Sequence, residues 1–91
     1  MKILERHIEA ALVKRIKELG GTAEKFTSPG RRSVPDRLVT LPKGRIVFVE
    51  LKSTGCKPTE NQSRDHQRRR TLGCDVLVID SYEGIDNAFP I

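Results

Sequence analysis

The chain has no tryptophan, one tyrosine and three phenylalanines, two cysteines and no acidic tail. Cys56 and Cys74 are too few and too far apart for a zinc site, which leaves two reduced cytosolic thiols, rather than a disulfide, as the expected state. No apolar run approaches the roughly 18 residues that a membrane-spanning helix needs. Met1-Lys2-Ile3-Leu4-Glu5 also lacks the apolar stretch of a signal peptide. No internal repeat, low-complexity tract or linker interrupts residues 1–91. One small domain with a modest core is expected.

Basic charge is what the chain has in excess. Seventeen lysines and arginines stand against twelve acidic residues, a formal charge of +5 and a pI near 9.6. Charge of this sign favours a polyanionic partner, nucleic acid first, although by itself it would equally suit an anionic membrane surface.

The chain is organised around Arg45-Ile-Val-Phe-Val-Glu-Leu-Lys52, where four apolar residues run into a glutamate and a lysine one position apart. Strands alternate faces, so Glu50 and Lys52 point the same way. The ordinary explanation is a strand reaching the surface at its end. The preceding run, Pro35-Asp36-Arg37-Leu38-Val39-Thr40-Leu41, and the turn signal Pro42-Lys43-Gly44 argue for more. A three-residue hairpin loop centred on Lys43 pairs Leu41 with Arg45 and sets Asp36 opposite Glu50. Two carboxylates at that separation repel unless a cation lies between them. A hard divalent ion such as Mg²⁺ takes one or two carboxylates with waters and substrate phosphate. Lys52, on the same face, is placed to hold or activate the attacking water.

Around this hairpin, Leu4, Ile8, Leu12, Ile16 and Leu19 recur at helical spacing and Gly20-Gly21 supplies a stop. Glu5 and Glu9 lie at the margin of that apolar stripe, either solvated and paired with Arg6 or Lys14 or reaching into a cleft beside the sheet. Thr22 to Thr27 carries a weak strand signal. The loop Ser28-Pro29-Gly30-Arg31-Arg32-Ser33-Val34 leads into Pro35-Asp36 with two arginines suited to grip phosphate. A second helix is expected from Thr59 to Leu72, opened by a Thr59/Gln62 capping box. It is crowded by Arg64, Arg68, Arg69 and Arg70, which makes it a solvated face or a track for a phosphate backbone. His66 on it could titrate or donate to phosphate. Asp75 to Asp80 reads as a strand covered on both faces, and Tyr82 to Asn87 as a helical turn over the sheet edge. The expected architecture is α/β, an αβββαβ core whose mixed sheet is flanked by helices.

Asp36 after Pro35, followed by Val49-Glu50-Leu51-Lys52, resembles the signature of the PD-(D/E)xK nucleases, and the whole chain is similar to their VRR-NUC branch in its stand-alone, phage or bacterial form. The resemblance rests on the ordered set: Glu5 and Glu9, Pro29-Gly30-Arg31-Arg32, Pro35-Asp36, Glu50-Leu51-Lys52, Gln62 and Leu72-Gly73. Ser33 departs from it, standing where the family usually has glycine. The resemblance implies a restriction-endonuclease-like fold and Mg²⁺- or Mn²⁺-dependent hydrolysis of DNA phosphodiesters. Asp36, Glu50 and the Leu51 carbonyl would bind metal, Lys52 would assist the water, and Gln62 and Glu9, favoured over Glu5, would complete the catalytic set. Arg31, Arg32, Arg64, Arg68 and Arg69 would hold DNA. A homodimer acting on branched DNA such as a four-way junction is expected from the junction's two-fold symmetry and from apolar surface that so small a domain cannot cover alone, with Tyr82, Ile85, Phe89 and Ile91 as candidate contacts, and the resemblance points the same way. The expected setting is the cytoplasm, or a host cell's if phage-encoded. A basic module that binds nucleic acid through a vestigial site is the contrasting expectation.

Overall fold

A computed structural model describes all 91 residues, Met1–Ile91. The first helix, α1 (Glu5–Glu18), buries Ile8, Leu12 and Ile16 completely, the expected stripe. Its N-cap residue, Leu4, offers no capping side chain. Ser53 substitutes: its hydroxyl accepts from the Glu5 N–H at 2.9 Å. The Thr54 hydroxyl likewise accepts from the Ile3 N–H, and the Thr54 N–H donates to the Ile3 carbonyl. The start of α1 is thereby tied to the loop that leaves the Glu50–Lys52 strand.

Beyond α1 the chain turns through Gly20, at φ +83°, and re-enters at Gly21, where an added Cβ would lie 2.4 Å from the Thr40 carbonyl oxygen. Backbone packs on backbone there. Gly21→Ala is therefore expected to cost about 2 kcal/mol, the usual scale for an overpacked site, read as a lowered urea midpoint.

The four strands β1 (Thr22–Lys25), β2 (Arg37–Leu41), β3 (Arg45–Leu51) and β4 (Asp75–Ile79) form one sheet in the order β1-β2-β3-β4. The first two pairings are antiparallel and the last is parallel. The β2–β3 hairpin has the expected loop, Pro42–Gly44, with Lys43 at φ 68° and Leu41 opposite Arg45. The parallel pair is joined by α2 (Glu60–Thr71), and α3 (Tyr82–Ala88) closes the chain. Val39, Val47, Val49, Leu51 and Ile79 pack on Ile8, Leu12 and Ile16 of α1 and on Ile85 and Phe89. Phe48 and Glu50 lie on the opposite face, with α2.

As expected, the Asp75–Ile79 strand is covered on both faces, with Val76 buried beside Phe48 on the α2 side and Ile79 buried beside Leu51 on the α1 side, although Val78 at the sheet edge remains 38% exposed. Two expectations need correction. Ile85 and Phe89 are not free for a partner, because both are buried in the core of their own chain. The arginine-rich α2 is not merely a solvated track. It buries Asp65 and His66, and its Arg69 guanidinium lies 4.7 Å from the Phe48 ring centroid and 5.2 Å from that of Phe26. Cationic planes over aromatic faces replace the missing apolar residues.

Candidate active site

The end of β3 places the chemistry. Val49, Glu50 and Leu51 are all buried, Glu50 to 1% exposure. The last β2–β3 rung pairs Arg37 with Val49, so Asp36 stands one step further, opposite Glu50. There the ladder changes hands. The Lys52 N–H donates to the Ile79 carbonyl on the β4 side, so the Leu51 N–H and C=O face the β2 side. The Asp36 carboxylate, not a β2 backbone carbonyl, accepts that Leu51 N–H at 2.8 Å. The turn into Pro35 thus brings the Asp36 carboxylate, the Leu51 backbone and Glu50 to one place.

Glu50 has unequal oxygens. Oε2 lies 3.5 Å from Lys52 Nζ and accepts from Gln62 Nε2 at 3.3 Å. Oε1 is buried with no hydrogen-bond partner. Burial, with Asp36 adding to it and Lys52 opposing it, pushes the Glu50 carboxyl up to about 7. Gln62 serves two roles, because its Oε1 accepts from the Thr59 N–H to complete the expected capping box while its Nε2 reaches Glu50.

The two helix carboxylates part company. Glu9 Oε2 lies 3.0 Å from Arg37 Nε, and Arg37 is anchored in turn to the Ala23 carbonyl. The expected partners Arg6 and Lys14 are not used. Glu5, held at the start of α1 by Ser53, has its carboxyl raised by burial and then by Asp36, against the pull of Lys52, with Glu9 adding a smaller push. Glu5 therefore shares the field of the Asp36–Lys52 group.

Two basic hollows adjoin the carboxylates. Glu9 and Asp36 line one of about 390 Å³ together with Arg31 and Arg32. The same two arginines meet Asn61, Arg64 and Arg68 around a second of about 330 Å³. Arg64 is exposed and pairs with Glu60. Arg68 is partly exposed beside Asp65. Arg69 differs from what was expected: its side chain is 12% exposed, bound to Asp65 at 2.8 Å and stacked on two rings, so it is committed to holding α2 on the sheet.

The burial of Asp65 and His66 is not evident from the arginine-rich composition of α2. The available signal was spacing: Gln62 and His66, four residues apart, share a helix face with Arg69 and the sheet. His66 is 1% exposed, and burial followed by the charge of Arg70 lowers its pKa from the ordinary value.

The donor set fits a hard divalent cation. Two carboxylates and a carbonyl are oxygen ligands, one buried carboxylate oxygen lacks a partner, and the opposed carboxylates need positive charge between them. A set of one or two carboxylates and a carbonyl is of the kind that leaves positions for water and phosphate. No helix is long and apolar enough to cross a membrane.

No family model matches the sequence. The chain is 54% identical over 81 residues to "Putative nuclease p44" of Acyrthosiphon pisum secondary endosymbiont phage 1, a match that covers 89% of this chain and 87% of that protein. A solved structure described as a VRR_NUC domain superposes with a TM-score of 0.87 at 38% identity, over 91% of this chain and 90% of the other. A likeness of that closeness, over nearly the full length of both chains, places this protein in the VRR-NUC family of nucleases.

Proposed function

We propose that the protein is a Mg²⁺- or Mn²⁺-dependent DNA endonuclease, acting as a homodimer on branched DNA such as a four-way junction. The observation that carries the reading is the pair of carboxylates, Asp36 and Glu50, set opposite one another beside Lys52, with Glu50 buried and one of its oxygens unpartnered. A module that only binds nucleic acid gains nothing from two opposed carboxylates facing a polyanion.

Asp36, Glu50 and the Leu51 carbonyl would hold the ion. When bound, such an ion polarises the phosphate, lowers the pKa of its water and offsets charge on the leaving oxygen. The chain supplies the rest. Lys52, whose ammonium already sits at the site, orients the attacking water. Gln62 restrains the Glu50 carboxylate from the first turn of α2. Glu5 is the better candidate for the helix carboxylate, since Glu9 is engaged by Arg37.

Arg31 and Arg32, with Arg64 and Arg68 across the second hollow, are the phosphate contacts. Neutralising each true contact is expected to weaken binding alike for all sequences and to reduce the salt slope by roughly one unit, measured by fluorescence anisotropy across a salt series. Arg69→Lys should instead lower thermal stability with little change in that slope.

The dimer reading rests on symmetry and surface. One carboxylate site per chain suits one strand, a junction offers two equivalent strands, and two-fold dimers are the commonest oligomers. With Ile85 and Phe89 committed to the core, Tyr82 and Ile91 are the exposed apolar members of the C-terminal segment. A cytoplasmic setting, the host cell's if a phage encodes the chain, goes with this substrate. Sedimentation at micromolar concentration, beside a junction labelled on each strand in turn, tests the reading. A dimer with paired symmetric incisions is expected. A monomer without them removes the dimer and junction proposals.

A further inference from the structure

Beneath the carboxylate pair, α2 and β3 enclose a contact that the proposed reaction does not use. His66 Nε2 and Glu50 Oε1 face each other at 3.8 Å. Each is buried and each lacks a hydrogen-bond partner. The distance is too long for a hydrogen bond, yet a buried polar atom left unpaired is costly, and two facing each other are a paired vacancy for one bond. The remaining donors on Glu50, Lys52 and Gln62, both go to Oε2.

We infer that His66 is a positioning residue for the nuclease: its Nε2–H is aimed at Glu50 Oε1 and fixes the carboxylate's orientation, leaving that oxygen's second lone pair to the proposed ion. The inference rests on the proposed metal role of Glu50 and adds to it a residue four positions beyond Gln62. Gln62 and His66 then act from one face of α2 as a two-point grip, one on each oxygen, while Lys52 grips from the strand. Neutral imidazole suffices for this task, because one ring N–H is the donor needed. Partners that orient a ligating group in this way commonly matter about 10- to 100-fold in metal affinity.

The test is Mn²⁺ titration by calorimetry of the full chain without DNA, for wild type, Glu50→Ala, His66→Phe, His66→Gln and His66→Asn. His66→Phe keeps a ring and removes the donor; it should bind Mn²⁺ about tenfold more weakly. Glutamine can place its amide nitrogen near the position of Nε2, whereas the shorter asparagine cannot. His66→Gln should therefore stay within about threefold of wild type, and His66→Asn should fall with His66→Phe. That ordering is one a purely space-filling role would not produce, and it persists as a comparison of glutamine with asparagine if the phenylalanine variant fails to fold. Equal affinities for His66→Gln and His66→Asn, or wild-type affinity in His66→Phe, overturn the inference. Wild-type protein that binds no Mn²⁺ overturns the metal role of Glu50 and this inference with it, and is distinguished by needing no His66 variant.

Discussion

At pH 8 and without metal, Glu50→Gln is expected to unfold at a higher denaturant concentration than wild type and to be inactive. Glu50 is buried, and its carboxyl is pushed from an ordinary 4.5 to about 7 by burial first and Asp36 next. A carboxyl whose folded-state pKa lies above its unfolded value is protonated more readily in the folded chain. The stabilisation from that proton is complete below pH 4.5 and is lost as pH rises through about 7. The charge retained above that pH costs the folded state up to about 3 kcal/mol, the order set by a displacement of this size. Glutamine fills the same volume without the charge, although it leaves Lys52 without its counter-ion and forfeits part of the gain. Urea unfolding of both proteins in EDTA checks this: the variant's advantage should be clear at pH 8 and small at pH 5. No advantage at pH 8 would mean that the site holds Glu50 ionised without a cation.

Asp36→Ala is expected to reduce cleavage by about 10³-fold or more, the scale of several kcal/mol of lost charge stabilisation, while DNA binding survives or tightens. The substitution removes a ligand for the ion, a repulsion against phosphate and the acceptor for the Leu51 N–H. Lys52→Ala should be similarly inactive yet still bind Mn²⁺, because Lys52 acts on water and is no ligand. Calorimetry with Mn²⁺ separates the two variants. An Asp36→Ala protein that cuts at a near wild-type rate would remove Asp36 from the site, and a Lys52→Ala protein that binds no ion would give Lys52 a structural role instead.

The β2–β3 hairpin was legible because a three-residue turn and strand alternation suffice to set Asp36 opposite Glu50, and the observed register agrees at every rung from Leu41–Arg45 to Arg37–Val49. The capping box was equally local. What escaped the sequence depended on contacts between distant elements. Ser53 caps a helix 48 positions away and so holds Glu5 at the helix start beside the strand end. Arg37 captures Glu9 across 28 positions. Arg69 looks like a surface cation in a helix poor in apolar residues, but Asp65 one turn back and two phenylalanines across the sheet convert it into packing. Continuous hydrophobicity in Asp75 to Asp80 signals burial on both faces, which Val76 and Ile79 show, but not that β4 ends the sheet, because strand order depends on which distant strands pair.

The central claim, that the opposed carboxylates form a metal-dependent nuclease centre, is tested most directly by incubating the purified chain with end-labelled linear, flapped and four-way-junction DNA in Mn²⁺ or Mg²⁺, with parallel samples in excess EDTA. Cleavage with either ion on at least the branched substrate is expected, and none with EDTA or with Asp36→Ala. Cleavage that persists in EDTA, or that Asp36→Ala retains, would contradict it.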